Sequence, residues 1–170
     1  MEIERKWMVK GWPQQGALLP LLYTEHQEQG YLHTDAPIVR IRMEARSGGD
    51  TKYVLCFKSA GLLAREEIEI ETSEEDYCRL AALTGHSLIK KVRRVYGLPD
   101  GLHLEVNLVD EGLPTEFMYA EVEFKDEAQA RAWDPAGCGL GDYLADDVTE
   151  QPGQSMSAFW AQTRGGGAQV

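Results

Sequence analysis

Met1-Glu2-Ile3-Glu4-Arg5-Lys6-Trp7 opens the chain with two carboxylates and an ammonium at every second position. Successive side chains of a β-strand point to opposite faces, so on extended backbone Glu2, Glu4 and Lys6 share one face. Two acids beside a base form a compact place for a divalent cation next to a positive charge, which a metal-bound phosphate chain requires. Any half-exposed strand with one wet face shows the same alternation. Later segments decide between the two.

Strand after strand repeats the pattern. Basic residues fall at Lys6, Arg40, Arg42, Lys58, Arg65, Lys91 and Arg93, and acids at Glu2, Glu4, Glu67, Glu69, Glu105, Glu121 and Glu123. Ile41, Ile68, Val92, Val106 and Val122 stand between them. Facing bulk water, these charges would be ordinary solvated side chains above an apolar core. In a sheet closed into a barrel they line the lumen instead, and helices cover the apolar outer face. Uncompensated buried charge is costly, so such a lumen must pair its charges or bind ions. A metal-polyphosphate complex satisfies both signs, with carboxylates on the cation and Arg and Lys on phosphate oxygens.

The chain has 170 residues, of which 43% are hydrophobic, enough for one domain with its own core. The expected division is a single domain over 1–164 and a flexible tail over 165–170. A net charge of −11 argues against general nucleic-acid binding and requires a locally basic pocket for any anionic ligand. No secretory signal pattern and no run of 18 apolar residues is present, which points to a cytoplasmic protein that does not engage membrane. Three cysteines, Cys56, Cys78 and Cys138, lack C-x-x-C spacing, and the four histidines lack H-x-x-x-H spacing, so neither suggests a zinc site.

Apolar content between Gln14 and Tyr23, interrupted by Pro20, fits a short helix. Alternation and turn residues predict an antiparallel meander over Glu28 to Thr34, Ile38 to Ala45, Thr51 to Ser59 and Glu66 to Thr72. Ser73 before three acids predicts a helix from Glu74 to Thr84. Strands at His86 to Tyr96, Leu102 to Val109 and Phe117 to Lys125 complete eight with the first, and helices are expected over Asp126 to Trp133 and Met156 to Arg164. The fold class is mainly β with peripheral helices (α+β).

Several segments occur in the order found in CYTH proteins: Glu2-x-Glu4-x-Lys6, Gln29-Gly30-Tyr31-Leu32, Arg40-x-Arg42, Phe57-Lys58-Ser59, Arg65-Glu66-Glu67-Ile68-Glu69, Lys91-x-Arg93 and Glu121-Val122-Glu123-Phe124. From Glu2 to about Thr149 the chain resembles a short bacterial triphosphate tunnel metalloenzyme. The resemblance implies a closed antiparallel eight-stranded β-barrel, with triphosphate and Mg2+ or Mn2+ in its lumen. By position, Glu2, Glu4, Glu69, Glu121 and Glu123 would hold metal, and Arg40, Arg42, Lys58, Arg65, Lys91 and Arg93 would grip phosphate. Lys6, Tyr31 and Glu67 would be catalytic: Lys6 at the scissile phosphate, Tyr31 positioning it through its hydroxyl, and Glu67 in the acidic cluster that holds metal or positions water.

The implied reaction is hydrolysis of inorganic triphosphate by metal-activated water. In this account the Cys and Ser residues are spectators. The chain departs from the family pattern at Asn107, where relatives often carry Asp, and near Ser155, where a Tyr-Lys-Asn-like triplet is missing. The alternatives are hydrolysis of an organic triphosphate, a class IV-type adenylate cyclase and a non-catalytic polyphosphate- or nucleotide-binding module. A homodimer paired through apolar barrel strands is one arrangement, and helices covering those strands are the other.

Overall fold

The computed structural model describes residues 1–13 and 19–165. Among the described residues ten strands form one antiparallel sheet. They are β1 (Glu2–Val9), β2 (Leu21–His33), β3 (Ile38–Arg46), β4 (Thr51–Lys58), β5 (Ala64–Arg65), β6 (Glu67–Glu71), β7 (Ile89–Gly97), β8 (His103–Val109), β9 (Phe117–Glu123) and β10 (Asp146–Asp147). The main order is β10-β1-β9-β8-β7-β2-β3-β4-β6, and β5 pairs with β1.

The sheet closes because β5 and β6 behave as one bent strand shared by two neighbours. Glu67 to Glu71 pair with β4, whereas Ala64 and Arg65 pair with Ile3 and Glu2 on β1. Glu66 is the break between them, and Ser59 Oγ accepts its N–H at 2.9 Å. Counted this way the barrel has eight staves, as expected, with β10 appended beside β1.

β2 departs from expectation at its start. It begins at Leu21, so the helix read over Gln14 to Tyr23 does not extend into residues 21–23; its residues 14–18 lie outside the described residues. The row Glu25, Gln27, Gln29 and Tyr31 is buried while its alternates include polar Thr24, His26 and Glu28. With both faces polar, the strand carries no period-two hydrophobic signal.

The larger apolar cluster lies outside the barrel wall, and a smaller one, Tyr31, Ile89, Val109, Tyr119, Met156 and Trp160, includes residues that line the cavity. Ile3, Trp7, Val9, Leu104, Val106, Ala120 and Val122 project outward from β1, β8 and β9 and pack with Ala130, Leu140 and Leu144. Helix α2 (Glu127–Ala132) is capped by Asp126, which accepts from Gln129 N, and lies across β1. Outward-facing Arg5 donates to the α2 end at Ala130 O (3.1 Å) and Trp133 O (2.7 Å), satisfying carbonyls that the helix leaves open. Its guanidinium also pairs with Asp147 at 2.6 Å, so one strand residue ties both a helix and β10.

Helix α1 (Glu74–Leu83) starts at Ser73, whose hydroxyl accepts from Asp76 N at 3.0 Å, and its acidic first turn suits the helix dipole. Its buried Tyr77 packs on Tyr53, covering part of β2 to β4. Helix α3 (Met156–Trp160) continues into a wider turn to Gly165 and sets Trp160 against Gly30. A Cβ at Gly30 would meet Leu88 Cδ2 at 2.8 Å, so a larger residue on that outer face requires the Leu88 side chain to shift. Ile68 and Ile70 on β6 stay exposed. None of the described helices is long and apolar enough to cross a membrane.

Candidate functional site

Directly opposed residues in an antiparallel ladder share a face, so the register carries the charges around the barrel. Glu2 faces Arg65, Glu4 faces Glu123, and Lys6 faces Glu121, which in turn faces Glu105. Arg93 faces Asn107 and Gln27 faces Lys91; Tyr31 faces Arg40, which faces Cys56, then Glu69. These rows enclose a cavity of about 520 Å³.

All fourteen residues expected at the site line that cavity: Glu2, Glu4, Lys6, Tyr31, Arg40, Arg42, Lys58, Arg65, Glu67, Glu69, Lys91, Arg93, Glu121 and Glu123. Glu105 lines it too, as the sequence period indicated, although it was not among the expected ligands. Seven bases then face seven acids, and the lining carries no formal net charge inside a chain at −11. Such a lumen suits a cation and an anion entering together.

The cations divide by partner. Arg65 donates to Glu2 (2.7 Å) and Glu4 (2.9 Å), and Lys58 bridges Glu2 (2.9 Å) and Glu67 (2.7 Å). Arg40 and Arg42 both reach Glu69, and Arg42 also pairs with Glu44. Arg93 pairs with Glu105 at 2.7 Å and with Glu121 at 3.7 Å, and its Nε–H donates to the Asn107 side-chain oxygen at 2.9 Å. Lys6 donates instead to the Gln154 carbonyl oxygen at 2.7 Å. Lys91 donates to the Tyr119 hydroxyl at 3.0 Å.

Electrostatics favour a bound cation. Burial, then Glu121 and Glu2, push the Glu4 carboxyl up to about 8, and burial with Glu105 and Glu2 raises Glu123. For Glu121, burial is more than offset by Lys6 and Arg93, and its carboxyl is held below the usual range. Burial lowers the Lys6 amine despite Glu121 and Glu4, and it lowers Lys91 strongly, with Arg93 and Arg42 adding repulsion. Crowded carboxylates of raised pKa are hard oxygen donors short of positive charge, which a divalent ion supplies. Among the described residues the group with donor atoms within 4.8 Å of one another is Cys56, Glu67 and Glu69. Cys56, read as a spectator, is thus a fully buried part of the lumen wall beside Arg40.

Tyr31 is placed differently from expectation. Its hydroxyl accepts from Gln29 Nε2 at 2.9 Å, and the ring beside Lys6 belongs to Tyr119, 4.0 Å from the ammonium to the centroid. Sequence reasoning missed Tyr119, although it stands two residues before Glu121 on the same strand face. Gln29, quoted in a family segment without a role, also lines the cavity, as do Thr149, Gln154, Ser155 and Ser157, from the stretch marked only for its missing cation. Those last residues come from a loop and a helix start, where no strand period marks them.

Asn107 is fully buried, and its Nδ2 has no partner among the described residues. The stretch at Ser155 that lacks the expected cation contributes the backbone oxygen that holds Lys6. Both departures therefore lie at the lumen.

A CYTH domain model matches residues 1–133. An inorganic triphosphatase from Nitrosomonas europaea is 33% identical over 151 residues, covering 88% of this chain and 89% of that protein. A crystal structure of an inorganic triphosphatase is similar with a TM-score of 0.61 and 28% identity, covering 94% of this chain and 93% of the other. A putative adenylyl cyclase from Hippeastrum, described as having a dominant triphosphatase activity, shares the fold at a TM-score of 0.60 and 19% identity, over 91% and 93% of the two chains. The charged rows, the closed wall and these likenesses agree: the chain belongs to the CYTH domain family.

Proposed function

We propose that this protein hydrolyses inorganic triphosphate within the barrel lumen. The observation that carries the reading is the balanced lining, seven bases with seven acids around one cavity. The likeness to the Nitrosomonas inorganic triphosphatase supports the choice of substrate. Glu2, Glu4, Glu69, Glu121 and Glu123 would hold a divalent cation, Mg2+ or Mn2+. When bound, it supplies Lewis acidity at phosphate oxygens and acidifies water.

The chain's own groups do the remainder. Arg40, Arg42, Lys58, Arg65 and Arg93 exchange carboxylate oxygens for phosphate oxygens, and the guanidinium forks of the four arginines favour two-point contact. Lys6 and Lys91 meet phosphate without surrendering an ion pair. Glu67 accepts the proton of the attacking water as the new P–O bond forms and the bond to the bridging oxygen breaks, giving orthophosphate and pyrophosphate. Lys6 stabilises the charge that develops on the transferring phosphoryl group. Tyr31, fixed by Gln29, offers a hydroxyl donor to the chain of phosphates.

A catalytically weak polyphosphate-binding module is the second reading, favoured by neutral Asn107 where a metal-binding acid would help more. Phosphate release from tripolyphosphate, pyrophosphate, ATP and thiamine triphosphate, with Mg2+ or Mn2+, separates the two. Tripolyphosphate is expected to turn over fastest, and Glu4→Gln and Lys6→Ala to abolish most of the rate. Wild type no faster than these variants defeats the hydrolase; binding without turnover favours the module, and cyclic AMP from ATP would reveal a cyclase.

A further inference from the structure

Five lumenal cations, Arg40, Arg42, Lys58, Arg65 and Arg93, form ion pairs with carboxylates. Among the described lumenal cations, Lys6 and Lys91 do not, and both reach one phenol. The Lys6 ammonium lies 4.0 Å from the centroid of the Tyr119 ring, and Lys91 donates to its hydroxyl at 3.0 Å. Tyr119 is 1% exposed and Lys91 4%. The ring is braced by Phe117, near-parallel at 5.8 Å, and by its place on β9 opposite Met8 and Asn107.

A phenol treats two amines unlike a carboxylate. Its π-face and hydroxyl oxygen attract cations without neutralising them, and neither has to be displaced as a full negative charge when phosphate arrives. Its two side-chain torsions are fixed by packing, so the amines are aimed before substrate enters. We propose that Tyr119 is a positioning residue with two separable parts: its ring sets Lys6 for turnover, and its hydroxyl sets Lys91 for binding. This inference rests on reading the lumen as a triphosphate site.

Tyr119→Phe keeps the ring and removes the hydroxyl, whereas Tyr119→Leu removes both. Steady-state hydrolysis of tripolyphosphate with Mg2+ is measured beside calorimetric binding of tripolyphosphate in EDTA. Tyr119→Phe is expected to raise KM and Kd about five- to tenfold and leave kcat within about twofold, since one neutral-to-charged hydrogen bond is lost. Tyr119→Leu is expected to match that rise and also lower kcat at least about tenfold. In a Lys91→Met background, Tyr119→Phe should change Kd by less than about twofold, because the two groups act as a unit.

A wild-type Kd for Tyr119→Phe, an equal kcat loss in both variants, or a fully multiplicative Lys91 cycle overturns the proposal. Melting temperatures identify a folding defect, and Tyr119→Met replaces the Leu variant if that one does not fold. Wild type that binds tripolyphosphate without releasing phosphate defeats the hydrolase reading alone. The ring's part is then read from Kd, with Tyr119→Leu expected at least about threefold weaker than Tyr119→Phe, and equality overturning it. Wild type that does not bind defeats both.

Discussion

Two walls of the same lumen hold their positive charge in opposite ways. On the wall made by β3 to β6, every guanidinium and the Lys58 amine already has a carboxylate partner. On the wall made by β1, β7 and β9, Arg93 is paired with Glu105 and Glu121, but Lys6 and Lys91 rest on a carbonyl oxygen and a phenol. The first arrangement supports the barrel when no anion is bound, because its charges satisfy each other. The second leaves two cations ready for a phosphate chain, at the cost of keeping buried amines whose charged form burial disfavours.

Removing Lys6 is the strongest way to test that division. Lys6→Ala is expected to lower kcat for tripolyphosphate about 10²- to 10³-fold, as loss of one preorganised charge donor does. Its melting temperature should fall less than when a sealed pair is broken, because Glu121 loses a nearby cation but keeps Arg93. A large loss of stability with little loss of rate would assign Lys6 to the supporting wall.

The amine wall also depends on a remote anchor. Gln154, which holds Lys6, leads into α3, and Arg164 beyond α3 forms a two-point pair with Asp110 at 2.6 Å. The two side chains are 7% and 1% exposed. Asp110→Asn is expected to cost about 3 kcal/mol by urea unfolding, as breaking a buried pair does. Burial alone would raise the Asp110 carboxyl, but Arg164 and Thr115 hold it below its ordinary value. A depressed carboxylate contributes stability above its unfolded pKa, about 3.9, and loses it as the pH falls through the lower folded value. The stability gap to wild type should therefore be full at neutral pH and close as the solution is acidified below about pH 4. A gap that persists unchanged in acid would exclude the ion pair as its source.

A smaller effect is expected on the paired wall. Lys58→Met leaves Glu2 and Glu67 without their shared cation. The expected loss is about 1–2 kcal/mol, less than for a sealed pair because water reaches the lumen. Mg2+ should restore more melting temperature to this variant than to wild type. Equal responses would show that the carboxylates do not share a cation with Lys58.

Much of the lumen was legible because charge recurred with the strand period: Glu2, Glu4 and Lys6, or Glu121 and Glu123, fall on one face whatever the neighbouring strands do. Partner choice was not legible. Tyr31 and Tyr119 both face the cavity, and the cross-strand register, rather than either strand's own sequence, brings Tyr119 to Lys6. The start of β2 escaped because Glu25, His26, Gln27 and Glu28 put polar groups on both faces. The bend at Glu66 escaped because its meaning lies in two different neighbours, β4 and β1.

The pairing of β1 has a temporal consequence. β2 and β3, β3 and β4, β7 and β8, and β8 and β9 join as sequence neighbours, but Glu4 pairs with Glu123 and Trp7 with Asp147. Loop-closure entropy delays such distant contacts during folding. The strand that carries Glu2, Glu4 and Lys6 should therefore dock after the meander exists, with its amides the last to gain protection in a pulse-labelling experiment. Until then the lumenal charges remain hydrated, and their dehydration coincides with one late event, the insertion of the first stave into a nearly finished wall.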